Sequence, residues 1–234
     1  GRGIYENIRK AVHFLLSSNI GEIMTIFVAM CFGWATPLLP IQLLWVNLVT
    51  DSLPAIALGV DPADADSMEQ PPRKGNSLFS DCMVSRIALE GAMIGMLALL
   101  AFGIGHIYFD EERAYITGRT MAFAVLSLSQ LIHAFNMRSE HSLFRISPLG
   151  NPMLLLAFFI GCLMQIGVIM VLPLAEIFKV CPLNGKEWLV VAALALAPLP
   201  IVELEKLCDR RRRKKSQNCY HFYLSLLRWL FEFC

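Results

Sequence analysis

The sequence predicts an all-α, polytopic membrane protein: a helix bundle of six transmembrane helices. Of its 234 residues, 56% are hydrophobic and only 17% are charged, and the mean hydropathy is +0.56. Several windows of about twenty residues almost lack Asp, Glu, Lys and Arg, and this is the length of an α-helix that crosses the hydrocarbon core of a bilayer. A single soluble core would not need apolar runs of that length, so we expect a membrane environment.

The six predicted spans follow one another along the chain. In order, they cover residues 11–34, 41–60, 83–109, 120–136, 152–172 and 188–204. We assign residues 1–207 to the membrane domain and residues 208–234 to a basic and aromatic tail. The basic run from Arg210 to Lys215 could be a positive-inside anchor, a site for anionic lipids or a localisation-like signal. Because the run follows a span, the first two interpretations are sufficient. We expect no nucleic-acid partner.

The distribution of lysine and arginine predicts the orientation of the chain. With both termini on one side of the membrane, that side holds sixteen of the 20 basic residues. Cytoplasmic segments near span ends have the excess of Lys and Arg. The sequence therefore predicts a multi-pass protein with both termini in the cytoplasm, which agrees with an even number of spans.

We expect no cleavable signal peptide at the N-terminus, and the chain resembles a segment of a longer protein. Its seven cysteines are scattered without CxxC spacing. We interpret them as free thiols rather than as a disulfide framework or a zinc site.

Two of the spans contain polar residues near their middle. The first has Ser-Ser-Asn-Ile-Gly-Glu at residues 17–22, and the second has Asn47, Thr50 and Asp51 ahead of Pro54. A carboxylate at the bilayer centre costs about 2.5 to 3.5 kcal/mol on insertion scales, so such residues indicate function. At about 1.5 Å of helix rise per residue, Glu22 and Asp51 lie at similar depth. We therefore expect the two polar segments to face each other.

The chemistry of these residues indicates a site for a hard cation. Asn19 shares a helix face with Glu22, and Asn47 shares one with Asp51. Pro54 lacks an N–H and breaks the second helix, which frees backbone carbonyls near the side-chain oxygens. Oxygen ligands suit calcium, magnesium or manganese better than zinc or copper. The alternative is that Asn and Asp cap a broken helix and that Glu22 pairs with a neutral group.

These two segments closely resemble the fifth and sixth transmembrane helices of P-type calcium-transporting ATPases. The resemblance rests on residues 17–22 and on Gln-Leu-Leu-Trp-Val-Asn-Leu-Val-Thr-Asp-Ser-Leu-Pro-Ala at residues 42–55. It continues through Pro-Pro-Arg at 71–73, Arg-Thr-Met-Ala-Phe at 119–123 and Ala-Phe-Asn at 134–136. It covers residues 1–207, which correspond to the last six of the ten helices of such a pump.

The resemblance implies roles for individual residues. Asn47 and Asp51 match ligands of the ion site common to calcium pumps. Asn19, Glu22 and Thr50 match ligands of the second site of the two-ion, reticulum-type pumps. We therefore expect all five to be ligands of transported Ca²⁺.

One position departs from the pattern of the reticulum-type pumps. Gln130 occupies the place of their acidic ligand in the eighth helix. Its amide can still offer an oxygen, but the site loses a charge, and fewer charges weaken calcium binding. We therefore expect one Ca²⁺ to be transported per cycle.

The chain lacks the Asp-Lys-Thr-Gly-Thr phosphorylation motif of the family and has no Gly-rich phosphate loop. We therefore expect ATP and Mg²⁺ to act only in a full-length parent. The implied partner is the N-terminal part of the pump, with the first four helices and the cytoplasmic domains. Two alternatives stay open: a standalone cation-binding or regulatory membrane protein on the same scaffold, and a pump for another hard cation such as Mn²⁺.

The third predicted span has two further notable features. Gly91 and Gly95 form a GxxxG motif, which predicts close packing against another helix, with the second span as a candidate. Glu90 lies beside them and needs either a partner or a cavity. We also expect His133, in the fourth span, to form hydrogen bonds between helices.

Overall fold

The computed structural model describes residues 2–62, 81–108, 114–138 and 150–213. Within these ranges the chain forms nine α-helices and one π-helix, and it has no β-strand. The α-helices are α1 (Arg2–Cys31), α2 (Pro40–Trp45), α3 (Ser52–Gly59), α4 (Asp81–Tyr108), α5 (Ala114–Met137), α6 (Pro152–Met170), α7 (Leu172–Phe178), α8 (Gly185–Leu196) and α9 (Pro198–Arg213). The π-helix, Val46–Thr50, joins α2 to α3.

Six helical stretches are long and apolar enough to cross a membrane, which confirms the predicted fold class. They are Gly3–Cys31, Pro40–Gly59, Met83–Tyr108, Ala114–Met137, Pro152–Met170 and Gly185–Lys206. The first stretch begins about two helical turns before its predicted start. The beginning of the tail continues α9 as far as Arg213, and the predicted lipid contacts and aromatic segment beyond it lie outside the described residues.

We call the end of the bundle at which α1 begins the lower end, and the opposite end the upper end. Successive spans alternate in direction between the two ends. The first span, α1, packs mainly on α4, and α4 packs equally closely on α5. α5 is the central helix. Most of its side chains are buried, and it contacts α1, α4, α6, α8 and α9. The polar residues of α5 therefore face other helices.

Local sequence explains where several helices begin and end. α1 ends in a Schellman motif: Gly33 has a positive φ of 66°, and Trp34 N–H donates to the Ala29 carbonyl at 2.9 Å. The Asn151 side chain caps α6 by accepting from Leu154 N–H at 3.0 Å. The following residue, Pro152, suits a first helical position, where no N–H is required.

The second span changes its helical form near its middle. Asp51 N–H donates to the Val46 carbonyl, five residues earlier, at 2.9 Å, and the α-helical pattern resumes when Ala55 N–H donates to the Asp51 carbonyl at 3.1 Å. The irregular turn therefore lies just before Pro54 rather than at it. Because Pro54 has no N–H, the Thr50 carbonyl loses its normal helical donor. Single π-turns within α-helices are frequently found at functional sites.

Contacts at the upper end fix the part of the second span above this turn. Gln42 Nε2 donates to the Phe178 carbonyl at 3.0 Å. The ring of Trp45 meets the Phe178 ring edge to face, with centroids 5.2 Å apart, and its Nε1 donates to Gln165 Oε1 at 3.0 Å. The position of the π-turn thus depends on α6 and α7 as well as on its own sequence.

The sixth span is interrupted, which the hydropathy pattern did not predict. α8 ends at Leu196 and α9 begins at Pro198. At the junction, Ala197 N–H donates to the Leu194 carbonyl at 3.2 Å, a tighter bond between residues three apart. Pro198 and Pro200 cannot donate to the preceding turn, so the continuous helix is broken there.

The close helix packing predicted for Gly91 and Gly95 is present, but the partner is α1 and not the second span. A Cβ atom on Gly91 would lie 2.6 Å from Ile20 Cγ2, and one on Gly95 would lie 2.8 Å from the Gly21 carbonyl oxygen. The two glycines let the backbones of α1 and α4 approach closely. The motif alone could not identify the partner, because any helix with small residues facing it could fill that place.

We expect Gly91→Ala to destabilise the protein, because a Cβ would also lie 2.8 Å from the Ser17 carbonyl oxygen, on a backbone with little room to move. Overpacking of this kind costs about 1 to 3 kcal/mol. The matched control is Gly103→Ala on the same helix, where a Cβ meets no atom of the described residues within 4 Å. Thermal unfolding in detergent should separate the two variants, and equal midpoints would contradict this account of the α1–α4 contact.

The lower end of the bundle is joined by Asp61, just after α3. Its carboxylate lies 3.1 Å from Lys10 Nζ and 3.2 Å from Arg138 Nε. It also accepts from Asn151 Nδ2 at 2.8 Å, and its backbone carbonyl accepts from Asn7 Nδ2 at 2.7 Å. One buried residue therefore connects α1, α3, the end of α5 and the start of α6.

Candidate cation site

The predicted meeting of the first two spans is present in the structure. Asn47 Nδ2, in the π-turn, donates to Glu22 Oε2 in α1 at 2.8 Å. The same amide group also donates to the Leu43 carbonyl at 3.0 Å. Glu22 is 6% exposed. The two polar segments therefore lie at one depth, as their distance from the span ends predicted.

Asp51 lies at the junction between the π-turn and α3 and is completely buried. Its carboxyl group faces the Ser18 hydroxyl of α1, and it is near enough to Glu22 for the two acids to interact electrostatically. Two carboxylates from neighbouring helices thus share one buried region. A cation between them would relieve the repulsion between their charges.

Gln130 brings the central helix α5 to the same region. Its Nε2 donates to the Ser18 carbonyl at 3.5 Å, and its amide lies beside the Glu22 carboxyl group. Gln130 is completely buried. The residue selected as a departure from the acidic pattern therefore does lie next to the two carboxylates.

Thr50 and Asn19 are less directly involved in these contacts. The Thr50 hydroxyl donates to the Val46 carbonyl at 2.8 Å, so its hydrogen is used within its own turn. It is buried, and the hydroxyl oxygen keeps lone pairs. Asn19 is half-buried, one helical turn before Glu22. Among the described residues, no hydrogen bond joins its side chain to the other predicted ligands.

Several oxygen atoms in this region are buried without a hydrogen-bond donor. Among the described residues, Glu22 Oε1, Ser18 Oγ, Gln130 Oε1 and both Asp51 carboxylate oxygens have no partner. Buried polar atoms are normally satisfied, and each exception calls for an explanation. Four of these atoms, on Glu22, Gln130 and Asp51, are acceptor oxygens that a cation or a hydrogen-bond donor would satisfy. The fifth is the Ser18 hydroxyl, which can itself donate to the Asp51 carboxyl group that it faces. The atoms available to bind a metal are all oxygens, with no nitrogen or sulfur among them, so they fit a hard ion such as calcium.

The described residues supply an incomplete ligand set. They contain no group of three or more His, Cys, Asp and Glu residues arranged to hold a metal ion. The two carboxylates are instead supplemented by amides and hydroxyls. Asn47 is exposed at the edge of the region, so this side of the site is open.

Ser18, whose hydroxyl faces Asp51, was not predicted from the sequence as a ligand. It lies in the polar segment at residues 17–22, directly before Asn19. Helical spacing gives the missing signal: Ser18 and Glu22 are four residues apart and therefore share a face.

Comparison with known families identifies the chain. The family described as "Cation transporting ATPase, C-terminus" matches residues 35–208, which include the second to sixth spans. The chain belongs to this family. The match covers Asn47, Asp51 and Gln130 but begins after α1, which holds Glu22.

Individual calcium-transporting ATPases match a larger share of the chain than the family model does. The chain is 45% identical to calcium-transporting ATPase 1 of Bacillus cereus over 90% of its own length and 25% of that protein. It is 42% identical to the calcium-transporting ATPase of Bacillus subtilis over 85% of its own length and 22% of that protein. An endoplasmic reticulum-type calcium-transporting ATPase of Arabidopsis thaliana is 34% identical over 90% of the chain and 24% of that protein. The chain thus spans about a quarter of the length of these relatives.

Proposed function

We propose that this chain forms part of the ion pathway of a P-type ATPase that transports Ca²⁺ across a membrane at the expense of ATP. The observation that carries the proposal is the group of four unpartnered, buried acceptor oxygens on Glu22, Gln130 and Asp51. Burial of acceptor oxygens is costly unless a hydrogen-bond donor or a cation satisfies them. The names of the relatives in the two Bacillus species favour calcium as that cation.

The proposed ligands are Glu22, Asn47 and Asp51, with Gln130 as a neutral contributor and Asn19 and Thr50 as further oxygen donors. The π-turn contributes a second type of ligand, the backbone carbonyl oxygen of Thr50. This oxygen has no helical donor, because Pro54 has no N–H. Discontinuous helices build cation sites in this way near the bilayer midplane. The site requires further ligands beyond those that the chain supplies.

The missing ligands and the energy source belong to the proposed partner, the N-terminal part of the pump. That part would contain the first four helices and the domains that use ATP and Mg²⁺. The exposed edge at Asn47 is the side on which a further helix would complete the site. We propose the cytoplasm as the location of both termini, because sixteen of the 20 basic residues lie on that side of the predicted topology.

The test is ion-dependent ATP hydrolysis by the complete protein in membrane vesicles, with uptake of radioactive calcium measured in parallel. We expect micromolar Ca²⁺ to stimulate both activities. Stimulation by Mn²⁺ with no response to Ca²⁺ would instead support a pump for another hard cation. Calcium binding without any ATP-dependent uptake would support the standalone cation-binding or regulatory protein.

We expect one Ca²⁺ to be transported per ATP, because two buried carboxylates can neutralise the charge of a single divalent ion. Gln130→Ala should therefore lower the apparent Ca²⁺ affinity by less than about tenfold, since it removes a neutral contact and no charge. The measurement is the ratio of calcium taken up to phosphate released, in the wild-type protein and the variant. A ratio of two would contradict the single-ion proposal.

A further inference from the structure

The upper end of the bundle contains a cavity of about 390 Å³, bounded by the residues just after α1, the end of α4 and the start of α5. We call it the aromatic cavity, because the rings of Trp34, Phe102 and Tyr115 line it. Its lining is almost entirely apolar. Sites for small ligands have volumes of about 300 to 1,000 Å³ and are lined mainly by apolar and aromatic side chains. The size and the lining therefore fit an apolar group of a ligand.

The side chains around the aromatic cavity hold one another in place. Phe102 lies 5.9 Å from Trp34 and 5.9 Å from Tyr115, measured between ring centroids. The His106 ring stacks on Phe102 at 6.1 Å, and the Tyr115 hydroxyl donates to the Thr36 carbonyl at 3.2 Å. The lining is thus formed before any ligand binds, which lowers the entropy that binding costs.

Glycines explain why space remains at this place. Gly103 lines the aromatic cavity, and a Cβ atom on it would meet no atom of the described residues within 4 Å. Two residues further along α4, a Cβ on Gly105 would lie 2.6 Å from Gly118 Cα in α5. The two helices therefore pack tightly beside the cavity, so the open space is not the result of a loose helix contact.

A cation lies next to the aromatic cavity. Arg119 Cζ is 4.7 Å from the centroid of the Tyr115 ring, which itself lines the cavity. The Arg119 Nε atom is buried and has no hydrogen-bond partner in the described part of the chain. Buried donors are normally satisfied, and an arginine N–H binds most strongly to a carboxylate or a phosphate. The contents of this region therefore include an unused donor for an anionic group.

The depth of Arg119 fits the head group of a lipid. α5 begins at Ala114 at the upper end, so Arg119 lies about 7.5 Å along the helix axis from that end. Long basic side chains in a membrane span extend toward the interface, and its contact with Tyr115, one turn nearer the upper end, has this direction. Trp and Tyr residues are also enriched at the level of lipid head groups. The guanidinium group and the cavity thus lie near the boundary between head groups and acyl chains.

We propose that the aromatic cavity and Arg119 bind one phospholipid of the upper leaflet, with its phosphate on the guanidinium group and part of an acyl chain in the cavity. A neutral apolar molecule would leave the Arg119 donor unsatisfied, and a free phosphate ion would leave the apolar lining empty. A phospholipid satisfies both, and the bilayer supplies it at high concentration. Because Trp34 and Tyr115 both contact the cavity, the bound lipid links the connection after α1 to α4 and α5.

The test is photocrosslinking of the complete protein in a non-ionic detergent, with phosphatidylglycerol that contains a diazirine in one acyl chain. We expect mass spectrometry of peptides to find labelled residues within 33–35 and 102–107. Unlabelled phosphatidylglycerol should compete. Diacylglycerol with the same chains should compete at least about tenfold more weakly, because it lacks the phosphate. Inorganic phosphate that competes as well as phosphatidylglycerol would indicate an ion site and would overturn the proposal.

Two variants examine the two halves of the site. Arg119→Gln should lower the affinity for phosphatidylglycerol by at least about tenfold, since it removes a charge-assisted hydrogen bond. Lys186→Gln is the matched control, because it removes an exposed positive charge at the start of α8, also at the upper end. The control should be labelled as the wild type is.

The Gly103→Leu variant keeps the test decisive if Arg119→Gln does not fold. Its side chain fills the cavity, and its Cβ meets no described atom, so the midpoint of thermal unfolding should not fall. Phosphatidylglycerol should raise the midpoint of the wild type by mass action but leave that of Gly103→Leu unchanged. Undiminished labelling of residues 33–35 and 102–107 in either variant would contradict the lipid site. Absence of this labelling in the wild type would mean that another segment of the complete protein fills the cavity, which would also refute it.

Discussion

Replacing Asp51 by Asn is expected to abolish calcium transport by the complete protein, with a loss of Ca²⁺ affinity of at least about 100-fold. Asp51 is completely buried, and both its carboxylate oxygens lack a donor among the described residues. The amide has the same shape, but it removes one negative charge and directs N–H donors toward a cation. Even residues that only support a metal ligand cost about 10 to 100-fold in affinity when mutated, so a direct ligand should cost at least as much.

The measurement is the calcium dependence of ATP-driven uptake in vesicles, with protein amount and folding checked by size-exclusion chromatography. Glu176→Gln is the matched control, because it also neutralises a carboxylate, but on the exposed surface of α7. The control should transport calcium as the wild type does. Unimpaired transport by Asp51→Asn would show that the cation does not bind at this position.

Most of the fold follows from simple hydropathy, because the bilayer requires each span to be long, apolar and internally hydrogen-bonded. The six spans were predicted for this reason. Their ends were less accurate: α1 begins near Arg2 because the helix continues beyond the apolar window. The break at Ala197 was missed because hydropathy measures composition, whereas the break depends on the missing N–H groups of Pro198 and Pro200.

The candidate site was predictable to a similar degree. Depth and helix-face spacing predicted that the two polar segments face each other, since both arguments depend only on the rise and period of a helix. The contact of Glu22 with Asn47 was not predicted and is seen only in the structure. The form of the interruption was not predictable. Pro54 indicates that a carbonyl loses its donor, but the π-turn also requires Trp45 and Gln42 to be held from above by α6 and α7.

Contacts among residues far apart in the sequence were the hardest to predict. The pairing of Glu90 with His13 and His133 joins three spans, and neither hydropathy nor motif spacing reports on it. Glu90 and His133 were identified from the sequence as exceptions to an apolar pattern, but His13 was not. Their common location depends on the glycine contact between α1 and α4, which in turn depends on which helix faces Gly91.

Asp61→Ala is expected to be the most destabilising substitution at the lower end of the bundle. The Asp61 side chain is 3% exposed, and its carboxylate pairs with Lys10 and Arg138, whose side chains are only 16% and 10% exposed. Its removal leaves two part-buried cations and the Asn151 amide without their shared acceptor. Breaking a buried ion pair in this way costs about 3 to 5 kcal/mol, which is a large part of the stability of a typical protein.

The loss should appear as a lower midpoint of unfolding of the whole protein in detergent, followed by circular dichroism. Glu176→Ala, which deletes a carboxylate from an exposed position, should leave the midpoint nearly unchanged. A double-mutant cycle then isolates the ion pair: Lys10→Met should cost much less in the Asp61→Ala background than in the wild type, because its partner is already absent. Additive effects would mean that Lys10 and Asp61 stabilise the lower end independently, and that the four helices are joined there by the Asn7 and Asn151 hydrogen bonds instead.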